Sequence, residues 1–206
     1  MPALTLCALQ IMLSLTAGDA RLDRPLPVPG TDDVFQYDDG TAYWVTWDGL
    51  YRGTWFHMDD FFPGAGGFDL SQLEFWFYDV GGMSWDTPHF FAEVWNGGSG
   101  GPETQLDQTS VTALNYAPCY STYPSPLQTD PDFWSLINTE MSSGGWPSVV
   151  CDNTPQASSH SFFSDDFIAW EPWIVQGPTA NDFLIRAYGQ FSPLDESTWG
   201  SIKALF

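Results

Sequence analysis

Four pairs of adjacent aspartates stand out in this chain: Asp32-Asp33, Asp38-Asp39, Asp59-Asp60 and Asp165-Asp166. Hard cations take carboxylate and carbonyl oxygens, so Ca2+ is the one cofactor the sequence points to. Its candidate ligands are Asp59, Asp60, Asp165 and Asp166, with Asp38 or Asp39 joining them. Neighbouring residues of a strand face opposite ways, so each pair gives one carboxylate to a site unless it lies in a turn. The alternative is acidic strand ends and turns that bind nothing. His57, His89 and His160 have none of the paired spacings of a zinc site. Ser99 sits in a G-x-S-x-G string, but Pro102 and a polar stretch follow it where a nucleophile elbow needs a helix. Paired carboxylates could hydrolyse a glycosidic bond, yet among 26 acidic residues their presence selects nothing. The reading is therefore non-catalytic, with a hydrolase as the third choice.

Aromatic side chains offer a second kind of chemistry. The chain has 16 Phe, 11 Trp and 8 Tyr. Trp76 and Tyr78 fall on one face of an alternating run, and Trp95, Trp134 and Trp146 fall in or near loops. Such rings stack on the apolar faces of sugars, and they also bury well against a second protein surface. These five residues are the candidate ligand-binding set, and the partner would be polysaccharide, extracellular matrix or copies of the same chain. The competing reading buries both faces inside the fold, because large aromatics usually sit inside. The formal net charge of −21, with only five basic residues, repels phosphate backbones and excludes nucleic acid as a natural partner.

The elements that must position these residues read as strands. Period-2 alternation bounded by Gly and Pro recurs at Val34–Tyr37, Ala42–Trp47, Gly53–Phe62, Leu73–Tyr78 and Phe90–Asn96. Further runs lie at Gln108–Thr112, Ser148–Cys151, Ser161–Trp170, Trp173–Gln176 and Phe183–Tyr188. No stretch carries a 3.6-residue apolar stripe. The expected fold is an all-β antiparallel β-sandwich, jelly-roll-like. Residues 115–153, rich in Tyr, Pro, Ser and Trp, read as a long loop excursion. A short echo, F-x-x-D-D-F, occurs at Phe56–Phe61 and Phe162–Phe167.

Residues 1–20 read as a secretory signal peptide: a short apolar run, then Gly18 and Ala20 before the cut. No basic residue precedes that run. Residues 21–33 read as a Pro-rich linker, 34–190 as the sandwich and 191–206 as a tail. Removal of the signal takes Cys7 and leaves Cys119 and Cys151, an even pair in an oxidising compartment. Their bridge would staple the excursion and contribute roughly 3–4 kcal/mol by loop closure. Two buried free thiols are the alternative. The expected location is secreted or cell-surface, with no transmembrane segment in the mature chain.

The run MDDFFPGAGGFDLSQLEFWFY at 58–78 resembles a recurrent segment of secreted bacterial jelly-roll modules, in which an Asp-Asp-Phe strand precedes a Gly-rich turn and an aromatic strand. FAEVWNGGSGGP at 91–102 and DFLIRAYG at 182–189 resemble later strands of the same modules, and STWGSIKALF at 197–206 resembles their C-terminal segments. The resemblance implies a carbohydrate-binding-module-like sandwich, usually non-catalytic, carried by exported or surface proteins of multidomain bacterial type. It implies no particular ligand. The Cys-containing segment departs from the pattern. A self-associating subunit of a surface layer or extracellular filament is the alternative from another class.

Overall fold

The computed structural model describes residues 33–191, apart from 65, 80, 82–83, 153–159 and 175–180. The signal at 1–20, most of the linker and the tail from 192 onward lie outside the described residues.

Among the described residues twelve strands form three antiparallel sheets. They are β1 (Asp33–Phe35), β2 (Trp44–Thr46), β3 (Tyr51–His57), β4 (Phe68–Trp76), β5 (His89–Asn96), β6 (Thr104–Thr112), β7 (Pro118–Thr129), β8 (Asp132–Asn138), β9 (Val149–Cys151), β10 (Ser161–Ser164), β11 (Glu171–Pro172) and β12 (Ile185–Phe191). One sheet has the order β1-β12-β4-β7, and a second has the order β11-β10-β3-β8-β5-β6. The short β2–β9 pair forms the third.

The two large sheets pack face to face because their alternating residues are apolar on the inward side. Phe68, Leu70, Leu73 and Phe75 of β4 meet Phe56, Phe90, Ala92 and Phe133 of the opposite sheet in one buried cluster. Phe68 stacks on Phe133 at 5.7 Å and Phe75 meets Phe90 edge-on at 5.4 Å, so rings interlock across the interface. The register of β4 against β7 shifts between Leu70 and Gln72. That bulge changes the parity, which lets positions 68 and 70 point inward together with 73 and 75.

Two expectations are corrected here. Residues 115–153 are not an excursion: they supply β7, β8 and β9, and β8 lies between β3 and β5 inside the larger sheet. Thr, Tyr and Phe in that stretch are strand formers, which outweighs the turn signal of its Pro and Ser. Three of its five prolines, at 118, 124 and 126, lie on β7, an edge strand that tolerates them. The staple is also absent, and Cys119 and Cys151 are free and buried. Cys119 sits opposite Phe75 in the four-stranded sheet, while Cys151 sits opposite Trp44 in the β2–β9 pair. Each sulfur is already occupied: Cys119 donates to the Phe75 carbonyl at 3.6 Å, and Cys151 accepts Trp173 Nε1–H at 3.3 Å. Burial pushes both thiols up to about 12.

Candidate functional site

The chain between β2 and β3 and the chain between β8 and β9 meet and together line an open groove of about 720 Å3. Trp47, Asp48, Gly49 and Leu50 line one wall, residues 142–146 line the other, and Phe163 and Asp165 complete it. Trp47 and Trp146 stack on one another at 4.9 Å and 30°.

Local chemistry builds these walls. Gly145 has φ +75°, and a Cβ there would come within 2.3 Å of the Trp47 carbonyl oxygen, so only glycine lets the two walls approach. Arg52, fully buried on β3, ties the walls from beneath. Its Nη2 donates to the carbonyls of Gly145 at 2.7 Å and Pro147 at 3.0 Å, and Nη1 to that of Thr46 at 3.4 Å. Burial pushes the Arg52 guanidinium down to about 9, while the neighbouring Asp48 carboxylate opposes that. On the outer side Asp86 accepts Ser142 Oγ–H at 2.8 Å and Ser143 N–H at 2.8 Å. Ser142 Oγ in turn accepts Trp146 N–H at 2.9 Å. The carboxyl of Asp48 is held above its ordinary range by burial; Arg52 pulls it down and Asp165 pushes it further up.

A second aromatic assembly lies on the outer face of the six-stranded sheet. Trp55, Trp134 and Trp95 are directly paired across β3, β8 and β5 and so share that face. The segment after β10 folds over them: Phe167 contacts Trp95 at 4.8 Å and Tyr51 at 4.9 Å, and Trp170 contacts Trp134 at 5.1 Å. Phe167 adopts φ 63°, a conformation few bulky residues take, and Ile168 beside it is 84% exposed.

The five candidate aromatics therefore separate. Trp146 lies in the open groove. Trp95 and Trp134 come together, but Trp134 is fully buried, and its Nε1–H donates to the Gly98 carbonyl at 3.0 Å. Trp76 is 9% exposed, covered by Val45, Val150 and Leu184, and donates Nε1–H to Glu74 at 2.7 Å. Tyr78 is half-buried beside Tyr116 in a narrow crevice with Tyr43 and Val150. Trp76 and Trp134 are thus corrected to core residues: the β2–β9 pair covers one and the chain after β10 covers the other.

The aspartates separate as well. β3 and β10 run antiparallel, with Tyr51 opposite Ser164 and Thr54 opposite Ser161. Asp59-Asp60 and Asp165-Asp166 each follow their strand, so they sit at opposite ends of the ladder, on the order of 20 Å apart. Asp38 accepts Arg186 Nη2–H at 2.7 Å and Nε–H at 3.1 Å. Asp39 accepts Thr41 N–H at 2.7 Å, and Asp59 accepts Gly64 N–H at 2.8 Å. Asp60 accepts the Tyr37 hydroxyl at 2.8 Å and faces His160 at 3.3 Å. Asp166 accepts the amides of Ile168 and Ala169. Among the described residues no group of three or more His, Cys, Asp or Glu side chains is arranged to hold a metal ion.

One polar cluster without a sequence signal lies where β9 meets the chain before β12. Asp152 and Asp182 clasp backbones, Asp182 N–H donating to Asp152 Oδ1 at 3.0 Å and Asp152 N–H to the Asp182 carbonyl at 2.9 Å. Ser161 Oγ–H donates to Asp182 Oδ1 at 3.0 Å, and among the described residues Asp182 Oδ2 has no partner. Burial raises Asp182 to about 7 and Asp152 to about 6.

Trp47 and Asp48 are the site residues that the sequence reading does not single out. Their signal is the Trp-Asp-Gly string between two strand runs, facing Gly-Gly-Trp-Pro at 144–147. Comparison with protein families, with curated proteins and with solved structures finds no match to this chain. Among the described residues no helix is long and apolar enough to cross a membrane.

Proposed function

We propose that this chain is a non-catalytic, exported or cell-surface module that binds a glycan through the Trp47–Trp146 groove. One observation carries the reading: two indoles line an open groove together with carboxylates and serine residues. Rings supply the stacking surface, and the polar groups bond sugar hydroxyls. The strand order supports a jelly roll. With β2, β9, β10 and β11 set aside, successive strands alternate between the two sheets, save that β5 and β6 are neighbours in one. The sequence resemblance and the signal-like residues 1–20 support export. Affinity electrophoresis through gels containing soluble polysaccharides tests the reading. The native chain should be retarded by at least one polysaccharide, and Trp146→Ala should migrate freely while still melting cooperatively. Equal retardation of the variant overturns the groove as the binding surface.

A second reading, a self-associating structural subunit, has its own observation. β6 is a nine-residue edge strand without proline, whereas β7 carries three prolines, β1 has three residues and β11 two. A long, polar, unblocked edge can pair with the same strand of another copy. Sedimentation velocity across a wide concentration range separates the readings: a glycan module stays monomeric, and a subunit assembles without ligand.

A further inference from the structure

We propose that the groove selects a cationic amino sugar, a glycan carrying free ammonium groups, over neutral and acidic sugars; this rests on the glycan-binding reading above. The charge of the groove carries the inference. Asp48 on one wall and Asp165 at the far side both line it, and Asp165 is close enough for its charge to push the Asp48 carboxyl up. Among the described residues the basic side chain at hand is Arg52, whose charge partly offsets that of Asp48 but whose donors do not reach a ligand. It is fully buried, and its guanidinium donates to the carbonyls of Thr46, Gly145 and Pro147 instead of into the groove. The remaining lining is indole, phenyl, leucine, serine and glycine.

A ligand there meets two carboxylates, Asp48 partly offset by the buried Arg52 beneath it, and no cationic donor turned toward it. An acidic sugar is repelled. A neutral sugar gains stacking and hydroxyl bonds alone. An ammonium group on the ring gains charge-assisted bonds to carboxylate, and the indole faces favour a cation as well. The chain's net charge of −21 adds a field that concentrates cations at its surface. Stacking and charge thus require different parts of one ligand, a pyranose face and an amine, and an amino sugar holds both.

Titration calorimetry of the whole chain with four ligands tests this: a glucosamine oligomer, its N-acetylated counterpart, an oligogalacturonate and an oligolysine. The glucosamine oligomer should bind tightest, and the oligogalacturonate should not bind. Asp48→Asn and Asp165→Asn should each weaken the amine form about three- to fivefold more than they weaken the N-acetylated form. Added salt should narrow the gap between the two. Trp146→Ala should weaken both sugars. Equal or tighter binding of the N-acetylated form or the oligogalacturonate overturns the amine selectivity while leaving a glycan site standing. Oligolysine binding as tightly as the glucosamine oligomer, unaffected by Trp146→Ala, overturns the sugar component. No binding of any saccharide overturns the glycan reading itself.

Discussion

Replacing Asp182 by Asn should flatten the pH dependence of stability between pH 5 and pH 8. Asp182 is fully buried, and its carboxyl is raised to about 7, first by burial, with Ser161 opposing and Asp152 and Asp38 adding repulsion. In the unfolded chain an aspartate titrates near 3.9. The folded state therefore holds the proton more tightly. Its contribution is fully present below about pH 4 and is lost as pH rises through about 7. Three units correspond to about 4 kcal/mol in all, and on the order of 2–3 kcal/mol of that falls between pH 5 and pH 8. Asp152, raised to about 6, adds a loss of the same sign, and the two carboxyls titrate as a pair. Asn keeps an acceptor for Ser161 and cannot ionise. His57, raised by its bond to Asp132, and His160, lowered by burial, remain in both proteins, so the difference isolates position 182. Urea unfolding followed by tryptophan fluorescence reads both profiles. The native chain should lose stability relative to Asp182→Asn as pH rises. Parallel profiles, or a native chain that gains on the variant, would refute the reasoning.

The remaining expectations concern the core, the covering segment and the acids. Cys119 and Cys151 should resist alkylation in the native protein and both react after unfolding, since burial raises each thiol to about 12; a bridged peptide in the non-reduced digest would contradict this. Phe167→Ala should be less stable than Phe167→Gly by about 1 kcal/mol, because both lose the contacts to Trp95 and Tyr51 but only glycine suits φ 63°. Equal stabilities by urea unfolding would show that the backbone there is relaxed. Millimolar Ca2+ should shift the melting temperature no more than equal Mg2+, because Asp59-Asp60 and Asp165-Asp166 end neighbouring strands at opposite ends. A rise specific to Ca2+ would mean the acids gather around an ion after all.

The fold was legible where alternation was clean. Leu73, Phe75 and Phe77 share an inward face as their period of two requires, and all three are fully buried. Phe90–Asn96 likewise became β5 with Phe90, Ala92 and Val94 inside. Polar strand residues hid the rest. β7 reads as loop because Tyr120, Pro124, Ser125 and Pro126 face solvent on an edge, and β8 was masked by its setting between two turn-rich stretches. The site was half legible. Trp146 and Asp165 are visible as an aromatic and an acid in turns, but nothing local says that they face Trp47 and Asp48. That meeting depends on Arg52 reaching across to Gly145, a contact 93 residues apart in the chain. Trp76 and Trp134 show the converse: loop-like composition and a shared face do not reveal which segment will cover a ring.

The central claim, that the Trp47–Trp146 groove is the working surface, is tested most directly by indole N–H NMR of chain labelled at its 11 tryptophans. Titrated with the glucosamine oligomer, the resonances assigned to Trp47 and Trp146 should shift in saturable fashion, while those of buried Trp76 and Trp134 stay fixed. Saturable shifts confined to tryptophans outside the groove, or none at any of the 11 positions, would contradict it.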